Sequence, residues 1–234
     1  PALDGAGLHV PGAIQVHGRE DHGRAAADVH RLQKRRFGLD GLLAVADAHG
    51  GRRDPDLGII TNIGKAHLEG FGGYQGVINS KTELYRYLKA KKGRIFLNTD
   101  HPLMMEHAAG MEIRTYGTLH DAYVRGSEII ACPLITLQIT IGKRSFPVQS
   151  KLFGSHNAEN ILAAACVGDF FKVPVSTIKN AIENYTPDTN RSQVRQTEKN
   201  LLILDAYNAN PSSMELAIRN FAALPGENKT AILG

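Results

Sequence analysis

The chain has 234 residues, enough for one or two domains with a sizeable core. Hydrophobic residues make up 42% and charged residues 21%, ordinary for a globular chain, and no apolar run reaches the ~18 residues of a membrane helix. The net charge of +4 allows an anionic ligand, but no basic run alternates with aromatics, so nucleic acid is not an expected partner. Cys132 and Cys166 form neither a disulfide framework nor a CxxC metal motif, which points to a reducing, cytoplasmic compartment, and the lack of a long apolar run to no membrane insertion.

Composition breaks near residue 56. Residues 1–56 contain no Ser, Thr, Asn, Tyr or Cys, whereas all 13 Asn lie beyond them. Two readings fit: a flexible basic segment, or an aberrant stretch translated out of frame. No site is expected there.

Leu57-Gly-Ile-Ile-Thr61 reads as a buried strand, and 62–73 as a Gly-rich loop. A helix is predicted over 74–90, closed by Lys89, Lys91, Lys92 and Gly93. A strand follows at 94–97, a helix at 102–109 and a strand at 112–116. Residues 122–150 alternate apolar and polar around Gly142-Lys143, as antiparallel hairpins do. Helices are predicted at 155–171 and 175–184, a linker at 186–190, a strand at 201–204, a helix at 211–224 and a strand at 229–233. The alternation predicts an α/β fold with a mainly parallel sheet and an antiparallel addition. The β–α–β run after 190 reads as the opening of a second α/β domain, cut short at Gly234.

Three constellations carry possible chemistry. The first is Thr61-Asn-Ile-Gly-Lys-Ala-His-Leu-Glu-Gly70, directly after a strand, where α/β proteins build sites. His67 has metal-ligating chemistry, although a loop histidine is more often a surface hydrogen-bonding residue. Lys81 follows 14 residues later on the next helix. The second is Phe153-Gly-Ser-His-Asn-Ala-Glu-Asn160, with Ser155 as the expected helix N-cap. Asn157 and Asn160 share a helix face, and their amides suit either a purine edge or simple capping. The third is Asp205-Ala-Tyr-Asn-Ala-Asn-Pro-Ser-Ser213, with Asp205 at a strand's carboxyl end, a place for a ribose or cation contact. Arg191 has the charge for a phosphate. The chain contains no GxxxxGK[ST], GxSxG or HExxH.

Together these motifs resemble the Mur ligases over about residues 54–234. The resemblance is strongest to members that add D-alanyl-D-alanine to UDP-N-acetylmuramoyl-tripeptide. It is carried by Gly58-Ile-Ile-Thr-Asn-Ile-Gly-Lys-Ala-His-Leu-Glu-Gly-Phe-Gly72, Gly154-Ser-His-Asn-Ala-Glu-Asn-Ile-Leu-Ala-Ala164 and Asp205-Ala-Tyr-Asn-Ala-Asn-Pro-Ser-Ser-Met214.

The resemblance makes 57–190 part of a central ATPase domain and 191–234 the opening of a Rossmann-like C-terminal domain. It implies ATP-dependent amide formation through an acyl phosphate, with ATP and Mg2+ as cofactors and a monomer as the working unit. His67 then matches a Mg2+ ligand, and Lys81 a lysine that some members carry as a metal-binding carbamate. Asn157 and Asn160 match the adenine side, Arg191 a phosphate contact and Asp205 a ribose contact. Tyr207, Asn208 and Asn210 would line the substrate cleft. The family's phosphate loop, expected before Gly58, is not in the sequence, so the chain is expected to be inactive alone. Two alternatives are another Mur-type amide ligase and a non-catalytic nucleotide-binding remnant.

Overall fold

The structure is a computed structural model that describes residues 42–46, 55–65, 68–187, 192–206 and 211–233. Seven strands form one sheet in chain order: β1 (Leu42–Ala46), β2 (Pro55–Ile60), β3 (Arg94–Asn98), β4 (Glu112–Gly117), β5 (Val124–Ile130), β6 (Thr136–Ile141) and β7 (Arg144–Gln149). The pairs β2–β3, β3–β4 and β4–β5 are parallel, and the flanking pairs are antiparallel. This is the mixed α/β sheet expected from the sequence. β1 lies within the first 56 residues and pairs with β2.

β3 explains the layering. Ile95, Phe96 and Leu97 are all buried, so this strand is covered on both faces. Successive side chains of a strand point to opposite faces. Ile59 and Phe96 accordingly enter one core cluster, while Ile60, Ile95 and Leu97 enter the other. Helices α1 (Tyr74–Lys91) and α2 (Pro102–His107) connect β2 to β3 and β3 to β4. Right-handed crossovers between strands taken in sequential order put both helices on one face. Leu84, Tyr85 and Leu88 of α1 and Met104 of α2 share the second cluster, in agreement. The chain closes α1 with Lys92 in the left-handed region at φ 58°, and its amide bonds the Leu88 and Lys89 carbonyls.

The opposite face is covered by α3 (Asn157–Phe170) and α4 (Val175–Asn184). α3 is apolar nearly all round because it lies between the sheet and α4. Its far end is held by ions: Asp169 accepts from Arg114 on β4 at 2.6 Å and from Arg144 on β7 at 2.9 Å. β4 and β5 overlap over only Tyr116↔Val124 and Gly117↔Arg125, so β5–β7 run on past the end of β4.

The remaining elements are β8 (Gln193–Gln196), β9 (Leu201–Leu204) and α5 (Pro211–Ala222). Here the structure departs from the sequence reading. β8 was not expected, and it pairs antiparallel with β9 across a turn held by Thr197 and Asn200. Residues 229–233 form no strand, and Ile232 is 94% exposed. Among the described residues β9 pairs only with β8, so this apolar stretch has no ladder to join. Among the described residues no helix is long and apolar enough to cross a membrane.

Leu162 is fully buried in the middle of α3. Leu162→Ala should cost about 2–5 kcal/mol, read as a lower urea midpoint with an unchanged slope.

Candidate functional site

The loop after β2 is folded back onto the first two turns of α1. Gly72 and Gly73 take φ of 68° and 104°, a region that favours glycine. A Cβ on Gly76 would lie 1.6 Å from the Phe71 carbonyl oxygen, so only glycine permits this approach. Tyr74 and Lys81 are two helical turns apart and therefore share a face. The Tyr74 hydroxyl donates to the Ile63 carbonyl at 3.1 Å. Lys81 Nζ donates to the Asn62 carbonyl at 3.0 Å and to Asn62 Oδ1 at 3.2 Å. Lys81 is thus fixed over the loop that leads to His67. His67 lies outside the described residues, as do Arg191, Tyr207, Asn208 and Asn210.

The start of α3 is built around Gly154, at φ 90°. A Cβ there would meet the His156 ring at 2.8 Å and Asn220 Nδ2 of α5 at 3.0 Å. Ser155 does not cap the helix. The helix begins two residues later, and the Ser155 hydroxyl reaches Asn220 Oδ1 at 3.4 Å. Asn157 and Asn160 do share a face, and they bond each other: Asn160 Nδ2 donates to Asn157 Oδ1 at 3.0 Å. Asn157 Nδ2 donates to the Phe153 carbonyl at 2.8 Å and to His156 Nε2 at 3.2 Å. Asn157 is therefore occupied by the protein itself, whereas Asn160 is exposed.

Asp205 sits at the carboxyl end of β9, as expected. Its Oδ1 accepts from the Ser192 amide at 3.0 Å, where Ser192 takes a left-handed φ of 48°. That bond fixes the chain immediately after Arg191. Asp205 also lies close enough to His156 to act on its charge. Desolvation of the His156 ring lowers its pKa, and the Asp205 and Glu159 carboxylates oppose that shift. Asp205 thus acts on the second constellation as a charge, and α5 touches it through Asn220.

A further group was not singled out from the sequence. Asn98, at the end of β3, is 0% exposed. Its Nδ2 donates to Glu159 Oε2 at 3.0 Å, and its Oδ1 accepts from the Asp100 amide at 3.0 Å. His101 Nε2 meets the same Glu159 oxygen at 2.8 Å. That bond raises the His101 pKa, against desolvation and with help from the Asp100 charge. The Asp100 carboxylate accepts from the Thr118 amide at 2.8 Å and the Leu119 amide at 3.3 Å, joining the exits of β3 and β4. The signal was present: Asn98-Thr-Asp-His101 directly follows a strand, the position that drew attention to residues 61–70.

Lys81, as an ammonium, donates and cannot ligate a cation. Among the described residues no three His, Cys, Asp or Glu side chains are grouped to hold a metal ion. The described residues do not by themselves make a Mg2+ site. The exposed Asn160 amide does fit the polar edge of a nucleobase.

A family model described as Mur ligase middle domain matches residues 45–168. A UDP-N-acetylmuramoyl-tripeptide--D-alanyl-D-alanine ligase of Bacillus subtilis (strain 168) is 29% identical over 182 residues, covering 77% of this chain and 39% of the relative. The chain thus spans about two-fifths of that relative's length. MurF from Acinetobacter baumannii superimposes with a TM-score of 0.67 at 23% identity, over 90% of this chain and 54% of that one. MurF ligase from Thermotoga maritima in complex with ADP gives 0.68 at 18% identity, over 92% and 58%. These structures share the fold. On the match across residues 45–168, this chain belongs to the Mur ligase family.

Proposed function

We propose that this chain carries part of the nucleotide side of an ATP-dependent ligase that joins D-alanyl-D-alanine to UDP-N-acetylmuramoyl-tripeptide. In this reading residues 57–190 belong to the central ATPase domain and 191–234 open the C-terminal one. The observation that supports it most is the first turn of α3: an exposed Asn160 held by Asn157, next to a His156 on which the Asp205 charge acts. Asn160 reads the adenine edge, and Asn157 is the residue that aims it. Asp205 serves the ribose and, through Ser192, sets the position of Arg191 for the phosphates. Tyr207, Asn208 and Asn210 serve the cleft where the acceptor amine enters.

Mg2+, when bound, neutralises charge on the phosphoryl group in transfer. His67 is its proposed ligand. Lys81 joins it only as a carbamate, an anion that would keep one N–H for Asn62. Asn62 and Tyr74 hold the loop between them in place for either state.

The choice of D-alanyl-D-alanine over a single amino acid rests on Asp205-Ala-Tyr-Asn-Ala-Asn-Pro211. A second reading, a nucleotide-binding remnant without turnover, draws on one observation: the 234 residues contain no GxxxxGK[ST]. A phosphate cradle of that kind supplies much of the transition-state stabilisation in phosphoryl transfer.

Calorimetry with adenosine and ADP tests the nucleotide side. The chain should bind adenosine, and Asn160→Ala should weaken that binding roughly tenfold, about one lost hydrogen bond to an aromatic base edge. Equal affinity in Asn160→Ala and wild type would sink the assignment. Phosphate release with UDP-N-acetylmuramoyl-tripeptide, ATP and either D-alanyl-D-alanine or single amino acids tests the chemistry. The expected result is no turnover by this chain alone. Turnover that requires D-alanyl-D-alanine would retire the remnant reading, and turnover with a single amino acid would retire the dipeptide assignment.

A further inference from the structure

Glu159 lies between the two asparagines in sequence but not on their face. At about 100° per residue, positions 157 and 160 are about 60° apart around the helix, and position 159 is about 160° from the first and about 100° from the second. The asparagines therefore present one side of the turn, and Glu159 reaches the other way, to the exit of β3. There it accepts from Asn98 and from His101, residues 61 and 58 positions away in the chain. Among the described residues, Asn157 bonds within its own segment, to Phe153, His156 and Asn160. Among the hydrogen bonds made by residues 157–160, those of Glu159 are the ones that cross to the sheet.

The partners make this tie demanding. Asn98 is fully buried, with its carbonyl oxygen already taken by the Asp100 amide. Without Glu159 its Nδ2 protons lose their acceptor in a place water reaches poorly. Asp100, in turn, is anchored to the loop after β4. The chain of bonds runs from β4 through Asp100 and Asn98 to Glu159, and so to the first turn of α3.

We propose that Glu159 is a positioning residue, locking the turn of α3 that carries Asn157 and Asn160 to the exit of β3, and that protonation of His101 sets the strength of the lock. Its bearing on nucleotide binding rests on the assignment of Asn160 given above. Protonated His101 donates to the carboxylate as a charge-assisted bond, and neutral His101 offers only an ordinary one. The charged groups that bear on His101 are Glu159 on α3 and Asp100 in its own loop. The Glu159 charge also acts on His156, whose pKa is lowered by desolvation.

The direction follows from the raised His101 pKa. Its contribution is fully present below the ordinary histidine value of about 6.5 and is lost as pH rises through the higher folded-state value. The lock is thus tight in mild acid and slack in mild base.

Hydrogen exchange of the full chain reads the lock directly. Protection factors for amides 158–162, corrected for intrinsic exchange, should fall several-fold from mild acid to mild base, as a charge-assisted bond weakens to a neutral one. Glu159→Gln keeps an acceptor for Asn98 but no charge, and should show intermediate protection with no such fall. His101→Gln offers a neutral donor at a similar reach and should also flatten the profile. Glu159→Ala should be slack throughout, and the two glutamine variants carry the test if the alanine variant does not fold. A flat wild-type profile, or a Glu159→Gln profile as steep as wild type, overturns the proposal. Adenosine affinity measured on the same samples separates the two assignments. If protection follows His101 but wild type binds no adenosine, the lock stands and the nucleotide assignment fails. If adenosine binds and protection ignores pH, the lock fails and the assignment stands.

Discussion

A strand with no wet face dictates the rest of this molecule. Ile95, Phe96 and Leu97 of β3 point alternately up and down, and all three are buried. Both faces of the sheet therefore need a helical cover. The two short crossovers around β3 can supply only one of them, since their common hand sends α1 and α2 to the same side. Among the described residues the other cover comes from later in the chain, after the meander of β5–β7. That cover is α3. Its apolar circumference and its place against β3 follow from the same requirement, and so does the arrival of its first turn at the carboxyl ends of the parallel strands.

The site inherits its character from that arrival. Its polar groups are largely spent on holding one another. Lys81 is bonded to Asn62, Asn157 to three neighbours, Asp205 to Ser192 and Glu159 to Asn98 and His101. Asn160 is the exposed member of its pair. Such an arrangement is preorganised: the donors and acceptors are aimed before a ligand arrives, and little is lost in ordering them.

Much of this was legible in the sequence, because it depends on local signals. Apolar runs marked β2 and β3, a basic stretch before glycine marked the end of α1, and the alternation around Gly142 marked β6 and β7. The family resemblance rested on motifs that sit directly after strands or open a helix. What escaped depends on partners distant in the chain. Gln193-Val-Arg-Gln196 has one apolar residue and becomes a strand only because β9 lies beside it. Residues 229–233 look like a strand but find no ladder among the described residues. A glutamate in the first turn of a helix reads as a complement to the helix dipole. Nothing local reveals that Glu159 turns to a buried asparagine across the fold. Ser155 was misread for the same reason: its acceptor belongs to α5.

The overlap between β4 and β5 has a mechanical consequence. With two residue pairs joining them, the sheet consists of two plates, β1–β4 and β5–β7, meeting at a narrow seam. α3 packs against β3, β4, β5 and β6, and so lies across that seam as a splint. Its first turn is fastened to one plate, Glu159 to the exit of β3, and its last turn to both, Asp169 to β4 and to β7. The splint thus ties the exit of β3, through one rigid helix, to a strand as distant as β7.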